Sequence, residues 1–347
     1  MYKLDKIFRT ALQYKASDIF ISTGSKPMLR INGDIIEIKE HEVFNKKLAE
    51  EYLLEFLTED QKTKFAEELD LDMSLEIETI ARFRVNLFVQ KRGISAVFRL
   101  IPQVVATMDE LGLPAQLKRA TTFKNGLVIV TGPTGSGKTT TLASMINEIN
   151  KNQNKHIITI EDPIEYVHKN QNCLIQQREI GAHTHSFARS IKSALREAPD
   201  IILLGEMRDL ETMQQAITAA ETGHLVFATL HTRGCANSIN RIIDAFPSDQ
   251  QNQIRSQLAE GLKAVFWQNL IKTKDKKSRV GAFEIMFANS AVSNMIRKGN
   301  THQINSVIET STKEGMQTMK KSVTDLYEAG IISKESAYEN IPEELEA

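Results

Sequence analysis

The chain has 347 residues, of which 43 are basic and 44 are acidic, for a formal net charge of −1 at pH 7. Its 41% hydrophobic and 25% charged residues are typical of a folded globular protein, which excludes a disordered or fibrous chain. The balanced charge offers no overall attraction for nucleic acid, and no apolar run approaches the roughly 18 residues that a membrane span requires. Cys173 and Cys235 form no paired motif, which fits a reducing compartment, so we expect a cytoplasmic protein.

Patterns in the first hundred residues predict an α+β unit. In chain order they indicate a helix over residues 3–14, a strand over 18–22, a hairpin over 27–38 that turns at Asn32-Gly33, a helical block over 46–69, and two strands over 81–102 joined near Arg92-Gly93. The first helix carries Asp5 and has no continuous apolar core, so it does not resemble a secretory signal peptide. We expect this unit to end at Pro102.

From Gly126 onward, short apolar runs alternate with helical segments. The patterns predict strands over 126–130, 156–161, 200–206 and 224–230, and helices over 138–151, 186–198 and 210–221. Near-continuous apolar strands separated by helices predict a mostly parallel sheet covered on both faces, and so an α/β fold. From Ala236 onward the chain is predicted to be chiefly helical. The expected domains are an α+β domain over 1–102, a linker and first helix over 103–122, and an α/β domain over 123–347.

The segment TGPTGSGKTT, residues 131–140, has the GxxxxGK[ST] spacing of a phosphate-binding loop between a predicted strand and a predicted helix. Glycines let backbone N–H groups turn toward phosphate oxygens, and the helix N-terminus adds a partial positive charge. We expect Lys138 to reach the β- and γ-phosphates and Thr139 to offer its hydroxyl to Mg²⁺. The residues predicted to bind the nucleotide here are Gly132, Pro133, Thr134, Gly135, Ser136, Gly137, Lys138, Thr139 and Thr140.

Carboxylates follow two of the predicted strands, where a phosphate loop needs a partner for the metal and a base for the attacking water. Glu206 ends the strand IILLGE and is predicted to hold Mg²⁺, either directly or through the water shell of the ion. Glu161, Asp162 and Glu165 end another strand, next to Pro163, and one of them is expected to orient the water.

Two histidines, His224 and His231, flank the apolar run LVFATL. A strand rises about 3.3 Å per residue, so seven steps hold the two rings roughly 23 Å apart. Ligands at about 2 Å from one zinc ion cannot be that far apart, which excludes a shared metal. Each histidine therefore has either a structural role or a site of its own.

Four segments in chain order, TGPTGSGKTT, IEDPIEY, PDIILLGEMRDLET and AAETGHLVFATLHT, resemble the sequence boxes of the secretion ATPases that drive type IV pili and type II secretion. Within that superfamily the chain resembles most closely the pilus retraction ATPases of twitching motility, and the resemblance extends to ASDIFIS, RFRVN and EGMQT. It implies a PAS-like N-terminal α+β domain, then a RecA-like P-loop ATPase domain with a helical C-terminal region, and ATP and Mg²⁺ as cofactors.

The resemblance also implies roles for individual residues. Glu165 would be the catalytic glutamate that polarises water, and Glu206 the Walker B residue. His231 would sense the γ-phosphate, with His224 nearer the contacts to a neighbouring subunit and its nucleotide.

Arg84 in RFRVN and Arg99 in VFRLIP match the N-terminal-domain arginines that reach into the nucleotide cleft of the family. A guanidinium is a common partner for phosphate charge in the transition state, which makes both catalytic candidates. Arg82 alternates onto the same face as Arg84 and is a weaker candidate.

For assembly, the resemblance implies a homohexameric ring that passes its motion to an inner-membrane pilus platform protein. Membrane association would be peripheral, at the inner face of the cytoplasmic membrane, and a paralogous retraction ATPase is a further candidate partner.

One motif departs from the family pattern A-I-R-N-L-I-R: the segment AVSNMIR, residues 291–297, has Ser293 in place of the first arginine, and Lys298 stands where an acidic residue is common. Because this motif is tied to retraction in the family, the departure affects the expected coupling rather than ATP hydrolysis.

Several alternatives remain open at the level of the sequence. Segments such as NQNCLIQQREIG resemble the accessory retraction ATPases of the same systems. Assembly and secretion ATPases usually have an extra N-terminal domain and a four-cysteine zinc element, whereas Cys173 and Cys235 form no paired motif. A nucleotide-gated scaffold without turnover and a nucleic-acid translocase are weaker hypotheses, since Lys138, Glu165 and Glu206 are all present and the charge is balanced.

Overall fold

The computed structural model describes residues 2–31, 33–78, 80–101 and 104–341. The chain divides into two compact units, one formed by Met1–Val104 with Pro163–Tyr166 and the other by Val105–Asp162 with Val167–Ala347. The domain end expected at Pro102 and the turn residue Asn32 lie outside the described residues.

The first unit contains an antiparallel sheet with three α-helices among its described residues. In chain order its elements are α1 (Asp5–Gln13), β1 (Asp18–Ser22), β2 (Met28–Ile31), β3 (Asp34–Glu37), α2 (Lys46–Leu53), α3 (Glu59–Glu68), β4 (Asp70–Ile77), β5 (Ala81–Gln90) and β6 (Gly93–Ile101). The strand order is β3-β2-β1-β6-β5-β4, and each neighbouring pair is antiparallel. The predicted α+β character of this region is confirmed.

The apolar residues of α1 and the inward face of the sheet form the core of the first unit. Phe8 of α1 packs on Phe83 of β5 and Phe98 of β6, with ring centroids 4.6 Å and 5.1 Å away. The predicted helical block is two helices, because Thr58 starts a new one: its hydroxyl accepts from the N–H of Gln61, whose side chain accepts from the N–H of Thr58.

The second unit is an α/β fold with a seven-stranded sheet. Its elements are β7 (Gly126–Thr131), α4 (Lys138–Asn152), β8 (His156–Glu161), β9 (Leu174–Glu179), α5 (Phe187–Ala194), β10 (Ile201–Leu204), α6 (Leu210–Glu221), β11 (Leu225–Leu230), α7 (Cys235–Asp244), α8 (Gln251–Gly261), β12 (Leu262–Lys272), β13 (Arg279–Phe287), α9 (Ser290–Lys298), α10 (Ile304–Thr310), α11 (Met319–Glu328) and α12 (Lys334–Asn340). The order is β13-β12-β7-β11-β10-β8-β9, parallel except for the antiparallel pair β12–β13.

The four predicted parallel strands and the three predicted helices of this unit are confirmed. The prediction that the chain is chiefly helical after Ala236 is only partly correct. Strands β12 and β13 lie in that region, and β12 pairs in parallel with β7 at the centre of the sheet. The expected first helix of the unit is a 3₁₀ helix. Short 3₁₀ helices cover Leu54–Phe56, Ala115–Thr122, Thr301–Gln303 and Thr312–Glu314. In the described part of the chain, every helix is too short or too polar to cross a membrane.

Candidate phosphate-binding and catalytic site

The predicted phosphate loop connects β7, a fully buried strand, to the N-terminus of α4. Gly132 and Gly137 have φ angles of +149° and +86°, in the region that side-chain-bearing residues rarely adopt. A Cβ atom on Gly132 would lie 2.2 Å from the backbone oxygen of Gln268. The loop therefore requires glycine at Gly132 for space as well as for conformation.

The ammonium group of Lys138 is folded over this loop. Its Nζ donates to the backbone oxygens of Gly132 and Pro133, at 2.9 Å and 3.1 Å, and lies 3.4 Å from Nδ1 of His231. Lys138 is only 7% exposed, so these acceptors stabilise a charge that water would otherwise solvate. A phosphate oxygen bound in the loop would be a further acceptor for this ammonium.

Glu206, which follows β10, lies at the end of a series of polar contacts that begins at Lys138 and passes through His231. Its Oε1 is 3.1 Å from Nε2 of His231, and its Oε2 accepts from Nε of Arg208 at 2.7 Å. The imidazole of His231 therefore lies between the ammonium of Lys138, which is near its Nδ1, and the carboxylate of Glu206, which is near its Nε2. The structure thus brings together three of the predicted catalytic residues, Lys138, His231 and Glu206.

His224 and His231, which flank the apolar run LVFATL, are at opposite ends of β11. Leu230 pairs with Thr131 beside the phosphate loop, and Leu225 pairs with Gly126 at the other end of the same two strands. Nδ1 of His224 lies 3.1 Å from the backbone oxygen of Ala219, within the turn after α6. In its own chain, His224 is therefore remote from the loop, and the role predicted for it stays a prediction.

The three carboxylates predicted at the end of β8 belong to different units: Glu161 and Asp162 to the second unit, and Glu165 to the first. Glu161 is buried, and its Oε1 accepts from the hydroxyl of Thr159 at 2.6 Å and from Nε2 of Gln177 at 3.2 Å. Glu165, which is half-buried, groups with the first unit. Its role as the catalytic glutamate also stays a prediction.

Arg84 and Arg99 are directly opposite each other on β5 and β6 of the first unit. Directly opposed residues of an antiparallel pair project on the same face, where like charges destabilise a sheet. Nε of Arg99 donates to Oδ1 of Asp18 at 2.9 Å, which offsets part of that repulsion, while 67% of the arginine side chain stays exposed. Arg82 is opposite Ile101 instead.

Sequence reasoning missed two residues that contact the site. Arg208 is two positions after Glu206 in the segment GEMRD. A basic residue so close in sequence to a carboxylate could have been predicted to pair with it. Gln268 lies in β12, a strand that was not predicted, and a single glutamine in an apolar run gives no local signal of function.

The chain is similar to known proteins over nearly its full length. Residues 1–341 match the family model described as type II/IV secretion system protein. The chain is 46% identical to a twitching motility protein of Neisseria gonorrhoeae, over 97% of this chain and 90% of that one. It is 48% identical to the type IV pilus retraction ATPase PilT of Pseudomonas aeruginosa, over 94% of this chain and 95% of that one. The structure is similar to a crystal structure of the pilus retraction motor PilT with bound ADP, with a TM-score of 0.93 and 40% identity over 100% of this chain and 99% of that one.

Proposed function

The chain belongs to the type II/IV secretion system protein family, and we propose that it is an ATP-hydrolysing motor that powers type IV pilus retraction in twitching motility. The observation that carries the proposal is the chain of contacts from Lys138 through His231 to Glu206, at the phosphate loop of a protein similar over nearly its full length to a retraction ATPase. A scaffold that only binds nucleotide would not need this pairing of a carboxylate with the histidine.

Nucleotide binding would begin with the loop and its lysine. Backbone N–H groups between Gly132 and Thr140 and the N-terminus of α4 would bind phosphate oxygens, as these groups do in phosphate loops generally. Lys138 would exchange its two backbone acceptors for the β- and γ-phosphates. This exchange keeps the buried ammonium hydrogen-bonded before and after binding.

The residues near the loop fit a magnesium ion, because the hydroxyl of Thr139 and the carboxylate of Glu206 are oxygen ligands of the kind that Mg²⁺ prefers. Thr139 and Glu206 would hold the ion, and when bound Mg²⁺ would supply positive charge that neutralises the charge developing on the phosphates. Glu206 accepts from Arg208 and contacts His231, so it would hold the ion through water or after releasing one of these partners.

For the hydrolytic step, we propose Glu165 as the base that orients the attacking water and His231 as the residue that senses the γ-phosphate. Arg84 and Arg99 would supply positive charge to the transition state. Their direct opposition on one sheet face supports this role, because an anion between two like charges removes the repulsion that they cause.

The family membership further supports a homohexamer that acts on an inner-membrane platform protein while bound peripherally to the membrane. Light scattering of the purified chain with and without ATP tests the ring directly. A particle near six times 39.1 kDa is expected, and a persistent monomer would contradict the assembly.

The test of function compares cells that lack this chain, cells with the wild type, and cells with Glu206→Ala, scored for surface pili and twitching. Many pili without movement, in both the null strain and the variant strain, are expected. Bald cells would instead indicate an assembly motor, and normal pili with normal movement would indicate an accessory retraction ATPase.

A further inference from the structure

Gln268 of β12 lies against the phosphate loop and is 3% exposed. Its Nε2 donates to the backbone oxygen of Ser136 at 2.7 Å, and its Oε1 accepts from the hydroxyl of Thr141 at 2.7 Å. The orientation of the amide is determined by the Ser136 oxygen, which can only accept. One side chain thus joins the last turn of the loop to the first turns of α4.

This contact determines the direction of a loop N–H group. In a trans peptide, the C=O of one residue and the N–H of the next point in opposite directions. Because the C=O of Ser136 points at Gln268, the N–H of Gly137 points away from β12. That is the direction required of a loop N–H that binds a phosphate oxygen.

Gln268 also contacts the start of the loop through its backbone. A Cβ atom on Gly132 would lie 2.2 Å from the backbone oxygen of Gln268, and one on Gly137 would lie 3.0 Å from its Nε2. Both glycines of the motif therefore pack against this one residue, Gly132 on its main chain and Gly137 on its carboxamide.

We propose that Gln268 is a positioning residue for nucleotide binding, whose carboxamide holds the Ser136–Gly137 peptide with the Gly137 N–H facing the phosphates. The proposal rests on the proposed function only in assigning the loop to ATP. Gln268 itself touches no phosphate in this arrangement and acts through the loop.

Two substitutions separate the hydrogen bond from the volume of the side chain. Gln268→Glu still accepts from Thr141 but places a carboxylate oxygen against the backbone oxygen of Ser136, which repels it. Gln268→Met has a similar length and neither donates nor repels. We expect nucleotide affinity to fall in the order wild type, Met variant, Glu variant.

The measurement is a fluorescence titration of the full chain with methylanthraniloyl-ADP, which needs no turnover, followed by steady-state ATP hydrolysis. Loss of one buried hydrogen bond to the loop predicts a Kd and a KM about threefold higher for the Met variant and about tenfold higher for the Glu variant. We expect kcat to change by less than about twofold, since the reacting groups are untouched.

The matched control is Gln153→Glu. Nε2 of Gln153 donates to the backbone oxygen of Thr121 at 2.7 Å, so the same repulsion is created away from the loop. The Kd of this control is expected to equal that of the wild type.

A Kd within twofold of the wild type in both Gln268 variants would overturn the proposal, as would a lower melting temperature with unchanged affinity. If the Glu variant does not fold, as judged by circular dichroism, the Met variant decides by the same criterion. A wild-type chain that binds the analogue and hydrolyses no ATP would contradict the proposed function and leave the affinity test of Gln268 intact.

Discussion

At the scale of single residues, the structure separates side chains that the sequence had grouped together. His224 and His231 are equivalent in the pattern HLVFATLH, yet only His231 lies at the end of β11 that adjoins the phosphate loop. The position of Lys138 and Thr139 could be predicted from the sequence because spacing along one strand–loop–helix unit determines it, and that of Glu206 because it follows a short apolar strand. The contact between His231 and Glu206 could not, since it joins the ends of two different strands.

We expect Glu206→Gln to lower the rate of ATP hydrolysis by about 100-fold, because the amide keeps the volume but removes the charge that orients His231 and attracts a metal ion. A phosphate-release assay measures this. The matched control is Glu211→Gln, on an exposed carboxylate of α6 that pairs with Lys192. Equal rates for the two variants would exclude Glu206 from the catalytic site.

The histidine pair gives a second prediction. His231→Ala removes the contacts to Lys138 and Glu206 and should reduce ATP turnover by about tenfold or more. His224→Ala should leave the affinity of the chain for an ATP analogue within about twofold, as a fluorescence titration can show. Loss of affinity in the His224 variant would contradict this expectation and would support the role near a neighbouring subunit's nucleotide that the resemblance implies for His224.

At the scale of secondary structure, apolar content decided what the sequence could predict. Strands β7, β8, β10 and β11 are almost wholly apolar and were recognised, whereas β9, with the sequence LIQQRE, and β12, which contains Gln268 and Asn269, were not. Polar residues of these strands make tertiary contacts, such as that of Gln268 with the phosphate loop. Strand β4, DLDMSLEI, alternates between apolar and polar residues, which is the pattern of a half-buried strand.

Helix α6 provides a test at this scale, because its N-cap immediately follows the Glu206 segment. Asp209 accepts from the N–H and from the hydroxyl of Thr212, both at 2.8 Å. We expect Asp209→Ala to lower the free energy of unfolding of the second unit by about 1 kcal/mol, and Asp209→Asn to retain most of it. Urea unfolding followed by the fluorescence of Trp267, the single tryptophan, measures both. If the alanine variant is as stable as the wild type, the cap contributes nothing.

At the scale of the whole molecule, each unit has its own hydrophobic core, centred on aromatic rings in the first and on the parallel sheet in the second. Composition and motif order predicted this division of fold classes. They could not predict that Pro163–Tyr166 would group with the first unit, since those residues follow a strand of the second.

The stability of the second unit should depend on pH through His168. Burial lowers the pKa of this ring from 6.5 to about 4, because the charged form is poorly solvated there. As pH falls from about 6.5 toward 4, the unfolded chain takes up a proton that the folded chain resists, so stability is lost in that window and is fully present above it. The full shift corresponds to about 3 kcal/mol, and partial exposure of the residue reduces this to about 1–2 kcal/mol.

The measurement compares the wild type with His168→Gln by urea unfolding at pH 7.5, 6 and 5, again with Trp267 as the reporter. We expect the wild type to lose more stability than the variant between the first and last of these pH values. Parallel pH profiles would show that His168 titrates alike in the folded and unfolded chains.

The central position of β7 has a consequence for the biogenesis of the protein. Its neighbours in the sheet are β11 and β12, and the hydrogen bond from Gln268 to Ser136 joins residues 132 positions apart. A chain emerging from the ribosome therefore carries its complete nucleotide motif long before the strand that supports it has been synthesised. Non-local pairing of this kind is slow to form and exposes apolar strands meanwhile. We expect ATP to protect nascent chains from proteolysis only after β12 has left the exit tunnel.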